Sequence, residues 1–247
     1  MNEAQSADRI VEWLGQQVKK AGAKGVVFGL SGGVDSSVAG VLCKRAFPDA
    51  CLALAMPCNS HESDLLHAKA VVQNFRIPLK VIDLSKPFGC ILGELGEGRC
   101  DERKNEIANI KPRLRMLCLY HFANKLNCLV VGTGNKSELM TGYFTKFGDG
   151  AADLLPLGAL YKGEVKKLAA HLGIAKEIIE KQPSAGLWKG QTDQSELGFS
   201  YEELDKMIEA IENGKTKGIP KKSLVVVRKM IAGSEHKRRM PPICKIH

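Results

Sequence analysis

The run Ser31-Gly32-Gly33-Val34-Asp35-Ser36-Ser37 constrains this chain more than any other. The apolar stretch Gly25-Val26-Val27-Phe28-Gly29-Leu30 precedes it and reads as a buried strand, and Val34 to Phe47 reads as a helix. A strand, a glycine-serine turn and a helix N-terminus together make an anion site. The glycines let the backbone approach a bound group, and the unpaired N–H groups of the first helical turn point at it in the favourable field of the helix dipole. Ser31, Ser36 and Ser37 add hydroxyl donors. Asp35 would repel bare phosphate, so its presence implies a divalent cation between carboxylate and phosphates. The run lacks the Lys-Ser/Thr of a Walker A loop and the spacing of the dinucleotide fingerprint.

Around this turn the pattern alternates. Strand-like runs at 26–30, 51–56, 79–83 and 128–132 are separated by helical patterns at 34–46, 61–75 and about 105–126. An amphipathic helix at 7–21 comes first, with Ile10, Leu14 and Val18 four apart. Alternating strands and helices imply crossover units, hence an α/β, doubly wound, mostly parallel sheet with helices on both faces and ligands at the carboxyl ends of the strands. Helices are expected at 162–172, 201–212 and 221–232, with an aperiodic Gly/Ser/Gln/Asp-rich loop at 183–199. No repeat or linker divides the 247 residues, so 1–247 reads as a single domain.

Composition narrows the function. Hydrophobic residues make up 44% and charged residues 26%, no apolar run reaches membrane-span length, and the N-terminus lacks a signal-peptide pattern, which leaves a cytoplasmic location as the expectation. The net charge of +9 suits a polyanionic partner. Aromatics at 6% are too few for base-stacking platforms, so small phosphorylated ligands are favoured and nucleic acid is not. The eight cysteines form no CxxC pair, and most of them read as buried reduced thiols. His61 and His67 read as solvent-facing rather than metal-binding; Trp13 and Trp188 read as core or interface residues, with Trp188 a possible lid element.

A second strand-to-glycine-to-helix transition follows residues 128–132 at Gly132-Thr133-Gly134-Asn135-Lys136-Ser137-Glu138. Parallel-sheet geometry puts it on the same edge as the first loop. Glu138 is either an ordinary acid favoured by a helix N-terminus or, with Asp35, one of two hard oxygen ligands for Mg²⁺ beside phosphates.

The loop Ser31 to Ser37 resembles the pyrophosphate-binding loop of the N-type ATP pyrophosphatases, which split ATP into AMP and pyrophosphate. Further runs narrow the resemblance: Pro112 to Met116, Gly132 to Leu139, Thr141 to Gly150 (TGYFTKFGDG), Pro183-Ser184-Ala185, Leu197-Gly198-Phe199 and Glu235 to Arg238. Together, in order and over nearly the whole chain, they resemble the ammonia-dependent NAD synthetases. The resemblance implies an adenine nucleotide alpha hydrolase-like fold. It implies a ligase that amidates nicotinic acid adenine dinucleotide (deamido-NAD) to NAD with ATP and ammonia, through an adenylated intermediate.

Carried over by position, the resemblance assigns ATP to Gly29, Leu30, Ser31, Gly32, Gly33, Val34, Asp35, Ser36, Thr133, Lys162 and Ser184, and Mg²⁺ to Asp35 and Glu138. It assigns deamido-NAD to Arg115, Lys146, Asp153, His236 and Lys237, and it implies a homodimer. No amidase segment with its own cysteine nucleophile is left over, so free ammonia is the expected nitrogen source. Pro112, Gly186 and Gln194 depart from the family's usual residues, the last two within the 183–199 loop, which is expected to close over the ligands. The competing readings are a tRNA-modifying enzyme built on the same loop and a non-catalytic nucleotide sensor. The pair Asp35 and Glu138 speaks for catalysis.

Overall fold

The computed structural model describes residues 2–97, 104–188 and 190–246. Its elements, in order, are α1 (Glu3–Lys20), β1 (Gly25–Gly29), α2 (Val34–Ala46), β2 (Cys51–Ala55), α3 (Glu62–Phe75), β3 (Leu79–Val81), α4 (Ser85–Glu94), α5 (Asn105–Ala108), α6 (Ile110–Leu126), β4 (Cys128–Val131), α7 (Lys136–Thr141), α8 (Lys162–Leu172), α9 (Lys176–Glu180), α10 (Asp193–Leu197), α11 (Tyr201–Glu212), α12 (Lys221–Gly233) and α13 (Glu235–Arg238).

The four strands are parallel in the order β3-β2-β1-β4. The order reverses between β1 and β4, and a doubly wound sheet opens its ligand crevice at the carboxyl ends of such a pair. Val27 lies level with Leu52 on one side and Val130 on the other. Val131 makes a single further bridge to Leu154, which lays the segment after the second glycine turn along the outer edge of β4.

Side-chain alternation divides the core. Val26 and Phe28 of β1 join Ala53 and Val131 on one face, under α1, α2, α3 and α8. Val27, Leu54 and Val130 face the other way, against α4 and α6. The strands are therefore buried on both faces, which is why they read as continuous apolar runs. A third cluster joins α11 and α12 through Leu204, Ile208, Leu224 and Val227.

Several elements differ from the sequence expectation. The run 105–126 is two helices, broken at Asn109, and Pro112 sits in the first turn of the second. The 183–199 run contains α10, started by the Thr192 side chain accepting from Ser195 N and ended at Gly198. At five residues it is too short for an apolar period to show. Fewer cysteines are buried than expected: Cys43, Cys51 and Cys58 are, Cys118 and Cys128 are half-buried, and Cys90 and Cys244, on an exposed helix face and near the end of the chain, are exposed; no described cysteine forms a disulfide, and Cys100 lies outside the described residues. No described helix is long and apolar enough to cross a membrane.

The sheet closes tightly where β1 begins. A Cβ placed on Gly25 would fall 1.9 Å from the Ala50 carbonyl oxygen, a backbone atom that cannot swing aside. Gly25→Ala is therefore expected to force β1 and the approach to β2 apart and to cost about 1–3 kcal/mol, the usual range for overpacking. Thermal melting of the variant checks this, and a midpoint equal to that of the wild type would contradict it.

Candidate active site

The first loop is shaped by a close approach. Gly32 has φ +80°, and a Cβ there would lie 2.1 Å from the Asp64 carbonyl oxygen at the start of α3. Only glycine fits. Inside the loop the serines bond to their own turn. Ser36 Oγ donates to the Gly33 carbonyl at 3.0 Å, Ser37 Oγ does so at 2.8 Å, and Ser31 N–H donates to Ser36 Oγ at 3.2 Å. These hydroxyls fix the geometry of the α2 N-terminus.

The second loop is held by a reciprocal cap. Asn135 accepts from the Glu138 N–H at 3.1 Å, and the Glu138 carboxylate accepts from the Asn135 N–H at 3.2 Å. The Asn135 amide also donates to Asp35 Oδ1 at 2.8 Å, so one fully buried side chain ties the two loops together. This residue escaped the sequence reading, although Asn135-Lys136-Ser137-Glu138 carries the Asn-x-x-Glu signature of a capping box.

Lys162 completes the cluster. It starts α8, is 3% exposed, and places its ammonium 2.5 Å from Asp35 Oδ2 and 3.2 Å from Glu138 Oε1. Burial opposes this charge, but Asp35 and Glu138 overcome it and hold the amine charged beyond the usual lysine range. Burial pushes the Glu138 carboxyl up to about 7; Lys162 pulls against that and Asp35 adds to it. Asp193 is pushed up too, chiefly by burial. One ammonium thus faces three carboxyl groups.

Tyr201 extends the network. Its hydroxyl lies 3.3 Å from Glu138 Oε1 and 2.9 Å from Asp193 Oδ2, and its ring faces the Lys162 ammonium at 4.7 Å. Nothing local in the sequence marks Tyr201 or Asp193, because their partners lie on other elements.

The remaining predicted residues fall into separate groups. Thr133 lines a small cavity with Glu138, Phe144 and Asp149. Arg115 donates to the Met56 carbonyl at 3.2 Å, beyond the end of β2, and burial lowers its pKa. Asp153 accepts from Val130 N–H at 2.7 Å and from the Tyr120 hydroxyl at 3.2 Å, capping the outer edge of β4. Ser184 is exposed and accepts from Gly186 N–H. Lys146 donates to the His236 carbonyl at 2.8 Å, and Lys237 donates to the carbonyls of Gly142 and Phe144 at 2.7 and 2.9 Å. The basic run at 235–239, which composition alone would leave as a solvated tail, is anchored against the end of α7. His61 is exposed; His67 is half-buried, 3.4 Å from the Lys181 ammonium.

Comparison with known proteins fits this geometry. The family model described as NAD synthase matches residues 6–241. The chain belongs to the NAD synthase family. It is 45% identical to an NH(3)-dependent NAD(+) synthetase of Syntrophomonas wolfei, across 100% of this chain and 98% of that one. Among solved structures it is similar to an NMN synthetase from Francisella tularensis, with a TM-score of 0.91, 34% identity and full coverage of both chains. It is also similar to an NH3-dependent NAD synthetase from Campylobacter jejuni, with a TM-score of 0.85, 29% identity and coverage of 99% and 100%. The doubly wound fold expected from the sequence is that of these NAD synthetases.

The double role of Asn135 makes a specific prediction. Asn135→Asp keeps the cap acceptor but replaces the donor to Asp35 with a second carboxylate. Losing a hydrogen bond to a charged group is expected to cost about 1.5–3 kcal/mol of stability, and activity is expected to fall with it. Denaturant unfolding and a turnover assay test this, and wild-type behaviour in both would remove Asn135 as the link between the loops.

Proposed function

We propose that this NAD synthase family member amidates deamido-NAD to NAD, consuming ATP and ammonia and releasing AMP and pyrophosphate by way of an adenylated carboxylate. The observation that carries the reading is the cluster of Asp35, Glu138 and Lys162, assembled from two strand-end glycine loops in a chain whose curated relatives are ammonia-dependent NAD synthetases along their whole length. A tRNA-modifying role is not favoured.

The donor set fits Mg²⁺. Asp35 and Glu138 are hard oxygen ligands aimed at one point, and a cationic group, the Lys162 ammonium, already sits there. When bound, the ion would neutralise phosphate charge between the loops. The chain's own residues do the rest by positioning. The N–H groups at the start of α2 hold the phosphates, in a loop whose shape Ser31 and Ser36 fix through their bonds to each other and to Gly33. Lys162 then follows charge onto the departing pyrophosphate. Arg115, Lys146, His236 and Lys237 supply cationic or donor groups for the dinucleotide; Thr133 and Ser184 serve ATP. The same reading carries a homodimer of one-domain subunits in the cytoplasm.

A second reading has one observation behind it. The Francisella tularensis neighbour that matches end to end is an NMN synthetase. Nicotinic acid mononucleotide should therefore be offered beside deamido-NAD. With ATP, Mg²⁺ and ammonium, the expected result is NAD and AMP in equal amounts, faster than amidation of the mononucleotide. A faster mononucleotide reaction would reverse the assignment. Glutamine free of ammonium is expected not to substitute. Asp35→Ala and Glu138→Ala are each expected to abolish turnover nearly completely, and near-normal NAD synthesis by either would refute their role.

The cation site can be tested without turnover. Lys162→Met removes the positive charge between two carboxylates, and breaking such a buried pair costs about 3–5 kcal/mol. Mg²⁺ alone should restore part of this, raising the melting temperature of Lys162→Met more than that of the wild type. An equal shift in both proteins would argue against Mg²⁺ at this point.

A further inference from the structure

Helix α7 is six residues long and carries Glu138 in its first turn. A helix of that length is not stable by itself, and the carbonyls of its last turn must be satisfied from outside. The Asn135 cap serves its beginning. At its end the Tyr143 N–H closes onto the Glu138 carbonyl at 2.9 Å and the Gly142 N–H onto that of Leu139 at 3.3 Å. The Met140 carbonyl is met by side chains from a distant part of the chain, Arg238 Nη1 at 3.0 Å and Ser234 Oγ at 3.4 Å.

The same guanidinium reaches three further acceptors. Nη1 lies 2.9 Å from the Leu139 carbonyl and 2.8 Å from Ser234 Oγ, and Nη2 lies 2.8 Å from the Ile231 carbonyl in the last turn of α12. One planar fork thus caps the C-terminal ends of two helices, where the macrodipole favours a cation. The helices come close enough because residue 142 is glycine: its φ is +72°, and a Cβ there would fall 2.0 Å from Ser234 Cβ. His236 and Lys237 directly precede Arg238. The Lys237 ammonium donates to the carbonyls of Gly142 and Phe144, just past α7, and the His236 carbonyl accepts from Lys146. Three successive residues, His236 to Arg238, are therefore tied to the segment 139–146.

We propose that Arg238 is a positioning residue for the amidation: its guanidinium locks the helix that presents Glu138 to the run that presents His236 and Lys237. This rests on the amidation reading above, which gives Glu138 to the cation and His236 and Lys237 to deamido-NAD. Arg238 itself spends its donors on three backbone carbonyls and one serine, so it acts through these neighbours. A lysine would keep the charge, but an ammonium is a point donor and cannot form a fork across two helix ends.

The test compares Arg238→Lys and Arg238→Ala with the wild type. Three quantities are read: the Kd for deamido-NAD by calorimetry, the Mg²⁺ concentration that gives half-maximal NAD formation, and the KM for ATP at saturating Mg²⁺. In both variants the first two are expected to rise about tenfold each, the worth of one hydrogen bond to a charged group. The KM for ATP should stay close to that of the wild type, because the loop Ser31 to Ser37 lies outside this tie. Methylguanidinium, a free copy of the missing group, should bring both quantities back toward wild type in Arg238→Ala, and methylammonium should not. A lower yield of folded protein, with Kd and Mg²⁺ requirement unchanged in the fraction that folds, marks a merely structural role and overturns the proposal. So does a rise in only one of the two quantities, or wild-type values in Arg238→Lys. Should Arg238→Ala fail to fold, Arg238→Lys carries the same comparison. A wild type that forms no NAD from deamido-NAD, ATP and ammonium overturns the amidation reading itself, a result distinct from any difference between wild type and variant.

Discussion

The Lys162 ammonium, shared by a carboxylate from each of two strand-end loops, is the interaction on which the rest of the site depends. Asp35 enters from the loop after β1, Glu138 from the loop after β4, and these strands lie side by side at the point where the sheet reverses its order. Two carboxylates converging in a half-buried crevice would repel each other. At an effective dielectric of about 20, unit charges about 4 Å apart interact by roughly 4 kcal/mol. The lysine turns that repulsion into two attractions. It also keeps the carboxylates pointing at one position.

The loops are set close enough for this by features that carry no charge. Gly32 admits the Asp64 carbonyl to a distance that excludes any Cβ, and Asn135 spans the gap from one loop to the other. The β4 edge is finished by Asp153, whose carboxylate accepts from the strand's own Val130 N–H. Function and stability are therefore hard to separate here: Asn135, which brings the loops together, also caps α7.

Most of the sheet and one half of the site were legible in the sequence because their signals are local. The apolar run at 25–30, the glycines at 32 and 33 and the apolar run ending at 131 mark strand, turn and helix within a few residues of one another. Beyond α4, a ten-residue helix for which the sequence raised no expectation, the departures are of two kinds. Helices α9, α10 and α13 are too short to display an apolar period, so only their caps could announce them. The links made by Asn135, Tyr201 and Asp193 join residues as many as 100 positions apart, and no spacing rule encodes such a pairing. The run 235–239 shows the same limit. Its positive charge is visible, but that Lys237 and Arg238 spend their donors on carbonyls at the end of α7 depends on where α12 delivers them.

Helix α11 gives that long-range assembly a physical logic. Tyr201 and Asp205 are four residues apart and so project from one face. Tyr201 touches Glu138 and Asp193, while Asp205 accepts from Ser137 Oγ and from the Gly163 N–H. Ser137 Oγ in turn accepts from the Lys162 N–H at 3.0 Å. One helix thus fixes the backbone at both sides of the ammonium, α7 through Ser137 and α8 through Gly163, and braces the carboxylates through a tyrosine ring and hydroxyl. The hydrophobic contact of α11 with α12 holds it in place from behind. Charged groups in a low-dielectric site contribute to a reaction only if they need not reorganise when it occurs. Here the reorganisation is already prevented by the packing of α11 against α12, a part of the chain well removed in sequence from the two glycine loops.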